Sequence, residues 1–209
     1  HYVRIKEKNI QGHDFQPVKN IKVYFDKEQG FISVMNDGEG IPVELHEAEN
    51  IYVPELIFGH LLTSGNYEKK QKHTGGKNGY GGKLANIFSK EFIVETIDHN
   101  HGKKYVQRFY NNMADKDKPK ITANKGKPYT KITYYPDFER FGHKKLEDDM
   151  IRLMTKRTYD AAAVTDPSVS IFLNDKKLEF KSFDKYTDLY LGDKSENPRL
   201  CQDFGSRWS

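Results

Sequence analysis

Only one cysteine, Cys201, occurs in the 209 residues, so an intramolecular disulfide framework is excluded and a reducing, intracellular compartment is expected. No apolar run approaches the roughly 20 residues of a membrane helix, and the basic, polar start at His1 is no secretory signal. No membrane partner is expected. Metal-binding patterns are missing too: His99 and His101 are too close for helical i,i+4 ligation, and no cysteine or carboxylate cluster joins them. Internal repeats are absent. Hydrophobic residues make up only 36% and charged residues 31%, yet aromatics reach 13%, with thirteen Tyr and thirteen Phe, which argues against disorder. A chain of this length buries about 70% of its unfolded surface, enough for one core. The net charge of +4 and pI near 8.8 permit contact with nucleic acid without demanding it.

What is abundant, locally, is glycine. The run Thr74-Gly75-Gly76-Lys77-Asn78-Gly79-Tyr80-Gly81-Gly82-Lys83 holds five glycines and two lysines and leads into the helix-spaced apolar residues Leu84, Ile87 and Phe88. Glycines let a backbone approach an anion, a helix start offers unpaired N–H donors, and lysines add charge. A polyphosphate is the expected guest. A Walker A loop is excluded because Lys77 stands where its first glycine belongs and Leu84 where Ser or Thr belongs. A dinucleotide fingerprint is unlike this run as well, since Leu84 takes the sixth position and the polar stretch Glu68 to His73 takes the place of a strand. Taken alone, the run could equally be a flexible linker.

A second motif decides. Asn36-Asp37-Gly38-Glu39-Gly40-Ile41-Pro42 follows the strand-like stretch Gly30 to Met35. Asn-Asp-Gly is ordinary turn chemistry in isolation. Glycines at alternate positions, however, let the backbone pass beside a flat ring, and the Asn36 amide can both accept from and donate to a purine edge. A base-reading turn and a phosphate loop together make a nucleotide pocket.

With these motifs the chain resembles the GHKL group of ATPases, and within it the ATPase region of eukaryotic-type DNA topoisomerase II. The resemblance runs from Ile21 to about Trp208. It is carried by NDGEGIP, by IYVPELIFGHLLTSGNY (Ile51 to Tyr67), by TGGKNGYGGKLANIFS (Thr74 to Ser89) and by YTKITYYPD (Tyr129 to Asp137). It implies that Asn36 reads the adenine amino group, with Ile41, Phe58 and Thr130 around the base. Ser64, Gly65 and Asn66 are implied at the ribose and α-phosphate. Gly76, Lys77, Asn78, Gly79, Tyr80, Gly81, Gly82 and Lys83 are implied around the β- and γ-phosphates. Three residues depart from the family pattern: Gly65 where a second serine is common, Lys77 where arginine is common, and Gly82 where alanine is common. Lysine serves as a point charge but cannot form a bidentate fork, so tuning of affinity is expected, with the site retained.

The resemblance also implies what lies elsewhere. The water-activating Glu and the Mg²⁺-holding Asn are expected on a helix before His1, and the γ-phosphate lysine of the transducer domain beyond Ser209. Residues 1–202 are thus expected to form an N-terminally incomplete ATP-binding domain, with 203–209 starting the link to the transducer. A γ-phosphate needs a positioned base and a cation for attack, so the segment alone is not expected to hydrolyse ATP. The function implied is that of the ATP-operated gate of a type II topoisomerase, a nuclear homodimer passing duplex DNA with ATP and Mg²⁺ as cofactors. Two other readings stand beside it: a different GHKL ATPase of the chaperone or mismatch-repair type, and a catalytically silent interaction module. The densest basic run, Lys69 to His73, sits beside the phosphate loop, where nucleotide attraction accounts for it as well as DNA does.

Periodicity gives the scaffold. Ile21–Phe25 and Phe31–Met35 alternate and form a hairpin. Pro54 opens a helix over Glu55 to Leu62. Strands are expected at Glu91–Thr96, Lys104–Tyr110 and Thr130–Tyr135, the last two joined by a polar loop. Leu146, Met150, Leu153, Met154, Arg157 and Ala161 mark a long amphipathic helix, and Val169–Leu173 with Lys177–Phe180 a last hairpin around Asn174-Asp175. The fold class expected is α+β: a two-layer sandwich of the GHKL (Bergerat) type, a mostly antiparallel mixed sheet with helices on one face.

Overall fold

The computed structural model describes residues 16–61, 79–180 and 182–200. Nine strands form one sheet: β1 (Asn20–Asp26), β2 (Phe31–Asp37), β3 (Ser89–Asp98), β4 (Lys103–Tyr110), β5 (Asp115–Lys116), β6 (Lys120–Ala123), β7 (Tyr129–Pro136), β8 (Ser170–Leu173) and β9 (Lys176–Lys177). Their order is β5-β4-β3-β7-β2-β1-β8-β9, with β6 also paired to β4. The β1–β8 pairing is parallel and the other pairings are antiparallel, so the sheet is mixed as expected. The loop expected between β4 and β7 contains β5 and β6, strands of two and four residues that are too short to register as an alternating pattern.

Register explains where the core lies. Side chains at alternate positions share a face, so Phe109, Phe92, Tyr134, Ile32 and Phe25 form one row across the sheet. Gln107, Val94, Ile132, Val34 and Val23 form the next, and Tyr105, Thr96, Thr130, Asn36 and Ile21 the third. The face therefore changes from aromatic to polar over about 14 Å of strand. Helices α1 (Val53–Gly59) and α2 (Gly81–Ile87) cover the β3–β4 half, where Phe58 and Ala85 pack on Val43, Phe92, Val94, Tyr105 and Phe109. Helix α3 (Asp148–Ala163) covers the other end, with Ala162 and Tyr159 against Ile171 and Leu178. These helices lie on one face, which is the two-layer arrangement the sequence implies.

Helix faces differ from the apolar spacing in the sequence. In α3 the buried residues are Thr158, Ala162 and Ala163, whereas Leu153 is 59% exposed; small residues are what allow the helix to approach β8. In α2 the inward residues are Lys83 and Asn86, while Leu84 is 47% exposed. Helix α1 ends at Gly59, short of Leu62, which lies outside the described residues. A fourth helix, α4 (Phe183–Leu191), has no counterpart in the pattern reading. Its start is marked by Ser182, whose hydroxyl accepts from the Lys185 amide at 3.2 Å, an N-cap of the usual kind. Among the described residues no helix is long and apolar enough to cross a membrane.

Candidate functional site

The polar row of the sheet ends in a constellation of hydrogen bonds. Asn36 and Thr130 are register partners on β2 and β7, and Thr96 on β3 is the partner of Thr130 on its other side. Thr96 is fully buried. Its Oγ1 lies 2.9 Å from the Ile41 amide nitrogen, 2.9 Å from the Tyr129 carbonyl oxygen and 3.1 Å from Thr130 Oγ1. Three residues expected around a base, Asn36, Ile41 and Thr130, are thus brought together, and Thr96 joins them. Sequence reasoning missed Thr96 because a threonine inside a strand is ordinary.

Around this row the turn is fixed by carboxylates. Asp37 does not face the site: its Oδ1 accepts from the amides of Lys19 and Asn20 at 2.7 and 2.8 Å, and its Oδ2 from Asn20 Nδ2 at 2.7 Å. The buried Asp98 accepts from the Val43 amide at 2.6 Å and contacts His101 Nδ1 at 2.5 Å, tying the end of the turn to the β3–β4 hairpin. Gly40, with φ of +81°, passes so close to β3 that a Cβ would stand 2.0 Å from the Ile97 carbonyl oxygen. Asn36 donates from Nδ2 to the Asp37 carbonyl at 2.8 Å, which leaves its amide oxygen and one hydrogen for a ligand.

The second part of the site is the start of α2. Lys83 is 2% exposed, and its ammonium donates to the Gly79 carbonyl at 3.0 Å. Burial pulls its pKa below the ordinary lysine value. A buried cation facing a neutral carbonyl is costly unless an anion completes it. Gly82 lies against Phe58, where a Cβ would be 3.2 Å from the ring. Glycine gives that ring room, and alanine would fit after a shift of a few tenths of an ångström. Phe58 in turn packs against Phe92 of the core, ring centroids 5.9 Å apart and tilted by 44°. Asn86 holds α2 to α1 by donating to the Phe58 carbonyl at 3.0 Å. Tyr80 and Gly81 are exposed at the helix start. Ser64, Gly65, Asn66, Gly76, Lys77 and Asn78 lie outside the described residues.

Beneath α1 is a buried network that the sequence did not announce. Glu55 accepts from Gln107 Nε2 at 2.9 Å and from Lys116 Nζ at 2.6 Å, and the Tyr105 hydroxyl donates to Gln107. Burial pushes the Glu55 carboxyl up, but the hydrogen bonds from Lys116 and Gln107 and the Lys116 charge outweigh it and hold the pKa below the usual value. Burial pushes the Tyr105 phenol up. A depressed carboxylate stabilises the fold above its unfolded pKa, and that stability is lost as pH falls through the folded value. Lys116→Met should therefore cost about 1–2 kcal/mol near neutrality, because it leaves a buried carboxylate without its nearest cation, a loss softened by the half-exposed position of Lys116. With desolvation unopposed, the acid unfolding limb should begin at higher pH than in the parent. Urea unfolding between about pH 3 and pH 7 measures both; an unmoved acid limb would show that the ion pair does not hold this carboxylate.

Between α3 and the sheet runs an open apolar groove of about 330 Å³, lined among others by Ile21, Val23, Ile32, Val34 and Met154. Val34 is 39% exposed there, in the row next to Asn36. Among the described residues no group of three His, Cys, Asp or Glu side chains could hold a metal ion.

The chain is 50% identical over 194 residues to the probable DNA topoisomerase 2 of Dictyostelium discoideum, covering 91% of this chain and 13% of that protein. It is 52% identical over 177 residues to DNA topoisomerase 2 of Saccharomyces cerevisiae, covering 83% of this chain and 12% of that protein. The chain thus spans about one-eighth of the length of these curated relatives. Among solved structures, the ATPase region of Saccharomyces cerevisiae topoisomerase II superposes with a TM-score of 0.81 at 48% identity, covering 91% of this chain and 50% of that one. The 43K ATPase domain of Thermus thermophilus gyrase B shares the fold alone, with a TM-score of 0.56 at 20% identity over 84% of this chain and 42% of that one. No protein-family model matches.

Proposed function

From the premise that this chain belongs to the DNA topoisomerase 2 family and matches its ATPase region, we propose that it is the nucleotide-binding part of that family's ATP-operated gate. The carrying observation is a pair of complementary deficits on one face of the molecule. Asn36 and Thr130 present hydrogen-bonding groups at the end of the polar row, and the buried Lys83 ammonium lacks an anion among the described residues. Adenine suits the first and a phosphate the second. Ile41 and Phe58 would line the base, while Ser64, Gly65, Asn66 and the run Gly76 to Lys83 would follow the ribose and phosphates. The alternatives of a chaperone-type or repair-type ATPase and of a silent interaction module are not favoured by likeness extending over 83–91% of the chain.

The residues assigned here bind and orient. The described chain offers no metal-ligand cluster and no carboxylate in the polar row. On the family resemblance, Mg²⁺ and the base that activates water are assigned to a helix expected upstream of His1. Its seat would be the apolar groove beside Asn36, whose exposed Val34 and half-buried Ile21 want cover. In the intact protein, ATP binding would bring two protomers together around duplex DNA in the nucleus, and hydrolysis would reset them. Residues 203–209 are assigned to the link toward the transducer.

The test uses a protein extended at both ends. It should bind a non-hydrolysable ATP analogue and dimerise with it, and Asn36→Ala should weaken both by about tenfold to a hundredfold, the worth of one or two hydrogen bonds in a closed site. Titration calorimetry and sedimentation read the two effects. Unchanged affinity in Asn36→Ala would remove the base assignment, and absence of binding in the parent would remove the function.

A further inference from the structure

Resting on the nucleotide reading above, we propose that Thr96 is a positioning residue: it fixes the direction of the Thr130 hydroxyl and thereby makes the site select a 6-aminopurine over a 6-oxopurine. Thr96 touches no ligand, being fully buried in β3. Its effect follows from counting hydrogens.

A threonine hydroxyl has one hydrogen to give and two lone pairs to offer. Two of the three neighbours of Thr96 Oγ1 have fixed polarity: the Ile41 N–H at 2.9 Å only donates, and the Tyr129 carbonyl at 2.9 Å only accepts. The Thr96 hydrogen must point at the carbonyl, because otherwise two oxygens would face each other in a buried place with no hydrogen between them. The third neighbour, Thr130 Oγ1 at 3.1 Å, could donate or accept by geometry alone. With the Thr96 hydrogen already used, it donates. Thr96 is then saturated, and the Thr130 oxygen keeps only lone pairs for anything else.

Beside it, the Asn36 amide is oriented independently. Its Nδ2 donates to the Asp37 carbonyl at 2.8 Å, and the reversed amide would place oxygen against oxygen. Asn36 and Thr130 are direct partners across β2 and β7, a relation that brings Cβ atoms within about 5 Å. Two acceptors thus stand together, with one Asn36 amide hydrogen left over. An exocyclic amino group supplies the matching donors, and the adjacent unprotonated ring nitrogen can take the remaining hydrogen. Guanine inverts both groups, placing a carbonyl where the acceptors are and an N–H at the ring position. The polarity is set from behind, by a residue that the base never meets.

The experiment measures dissociation constants of non-hydrolysable ATP and GTP analogues for the intact protein. The parent should prefer the ATP analogue. In Thr96→Val the Thr130 hydroxyl is free to turn and donate, so the ratio of the two constants should narrow by about tenfold, the cost of one mismatched buried hydrogen bond. Thr96→Ser, which keeps the hydroxyl, should restore the parent ratio. A purely structural role would weaken both nucleotides alike, and an unchanged ratio in Thr96→Val overturns the proposal. Should Thr96→Val fail to fold, Thr130→Val carries the test, since it removes the acceptor while Thr96 keeps its bonds to Ile41 and Tyr129. A full parent ratio there overturns the proposal equally. A parent that binds the ATP analogue with both variants unaltered in selectivity overturns this inference and leaves the nucleotide reading standing, whereas a parent that binds neither analogue overturns both.

Discussion

Gly40→Ala should destabilise the domain by about 4 kcal/mol, in the range kept for a few named core mechanisms, and lower its melting temperature by about 10 °C. Two effects add. The residue sits at φ of +81°, where an L side chain is strained, and its Cβ would stand 2.0 Å from the Ile97 carbonyl oxygen and 3.1 Å from Thr96 Oγ1. A backbone oxygen of β3, paired in the sheet, cannot swing away as a flexible side chain would, so the turn must lift off the sheet. Lifting it breaks the 2.9 Å bond from the Ile41 amide to Thr96 and displaces Asn36, so nucleotide binding should fail together with stability. Gly142→Ala is the internal control: its φ is +77°, with nothing within 4 Å of the added Cβ, and strain alone should cost about 1–2 kcal/mol. Thermal unfolding of the two variants separates strain from collision. Equal losses would show that the turn does not press on β3 as the geometry states.

Lys83→Met should lower the affinity for an ATP analogue about a hundredfold or more, as expected for loss of a buried charge that pairs with a ligand, while making the nucleotide-free protein more stable. The opposite signs have one cause. Lys83 is 2% exposed with a carbonyl partner at 3.0 Å, so its charge is a burden unless an anion joins it. Its pKa lies below the ordinary 10.5 because burial disfavours the cation. In the window between that depressed value and 10.5 the unfolded chain holds a proton that the folded chain does not. Stability from this group is therefore present at alkaline pH and lost as pH falls through the folded pKa. Saturating nucleotide should cancel this alkaline gain by restoring the charge, and Lys83→Met should lack it in both states. Calorimetric binding and unfolding at neutral and alkaline pH make the comparison; a methionine variant that binds as the parent does would remove Lys83 from the phosphate site.

Much of the scaffold could be read in the chain. The hairpin Ile21–Met35, the three long strands and the α3 helix were all legible, because each has many residues in one period and tertiary packing only confirmed it. Short elements were not. Strands β5 and β6 consist largely of polar residues that pair because β4 offers an edge, and although Pro54 announced α1, the burial of its Glu55 was hidden because the partners Gln107 and Lys116 lie 52 and 61 positions away. Helix faces were misjudged for a related reason. Apolar spacing at Leu84, Ile87 and Phe88 pointed α2 toward the core by that side, yet the side turned inward carries Lys83 and Asn86. Periodicity counts hydrophobic residues and cannot recognise a polar residue whose burial is compensated by one specific carbonyl.

By itself, the sequence determined that a turn at Asn36 and a glycine-rich run are the features to examine for a nucleotide, and its motif strings placed it in a family. Those signals are local: turn residues, glycine runs and alternation leave their mark within a few positions. Only the tertiary structure decided which polar side chains meet. Asn36, Thr96 and Thr130 are 60 and 34 positions apart, and they become a single hydrogen-bonded row only when β2, β7 and β3 pair in register. The direction of a hydroxyl depends on every partner around it, and those partners are assembled by folding.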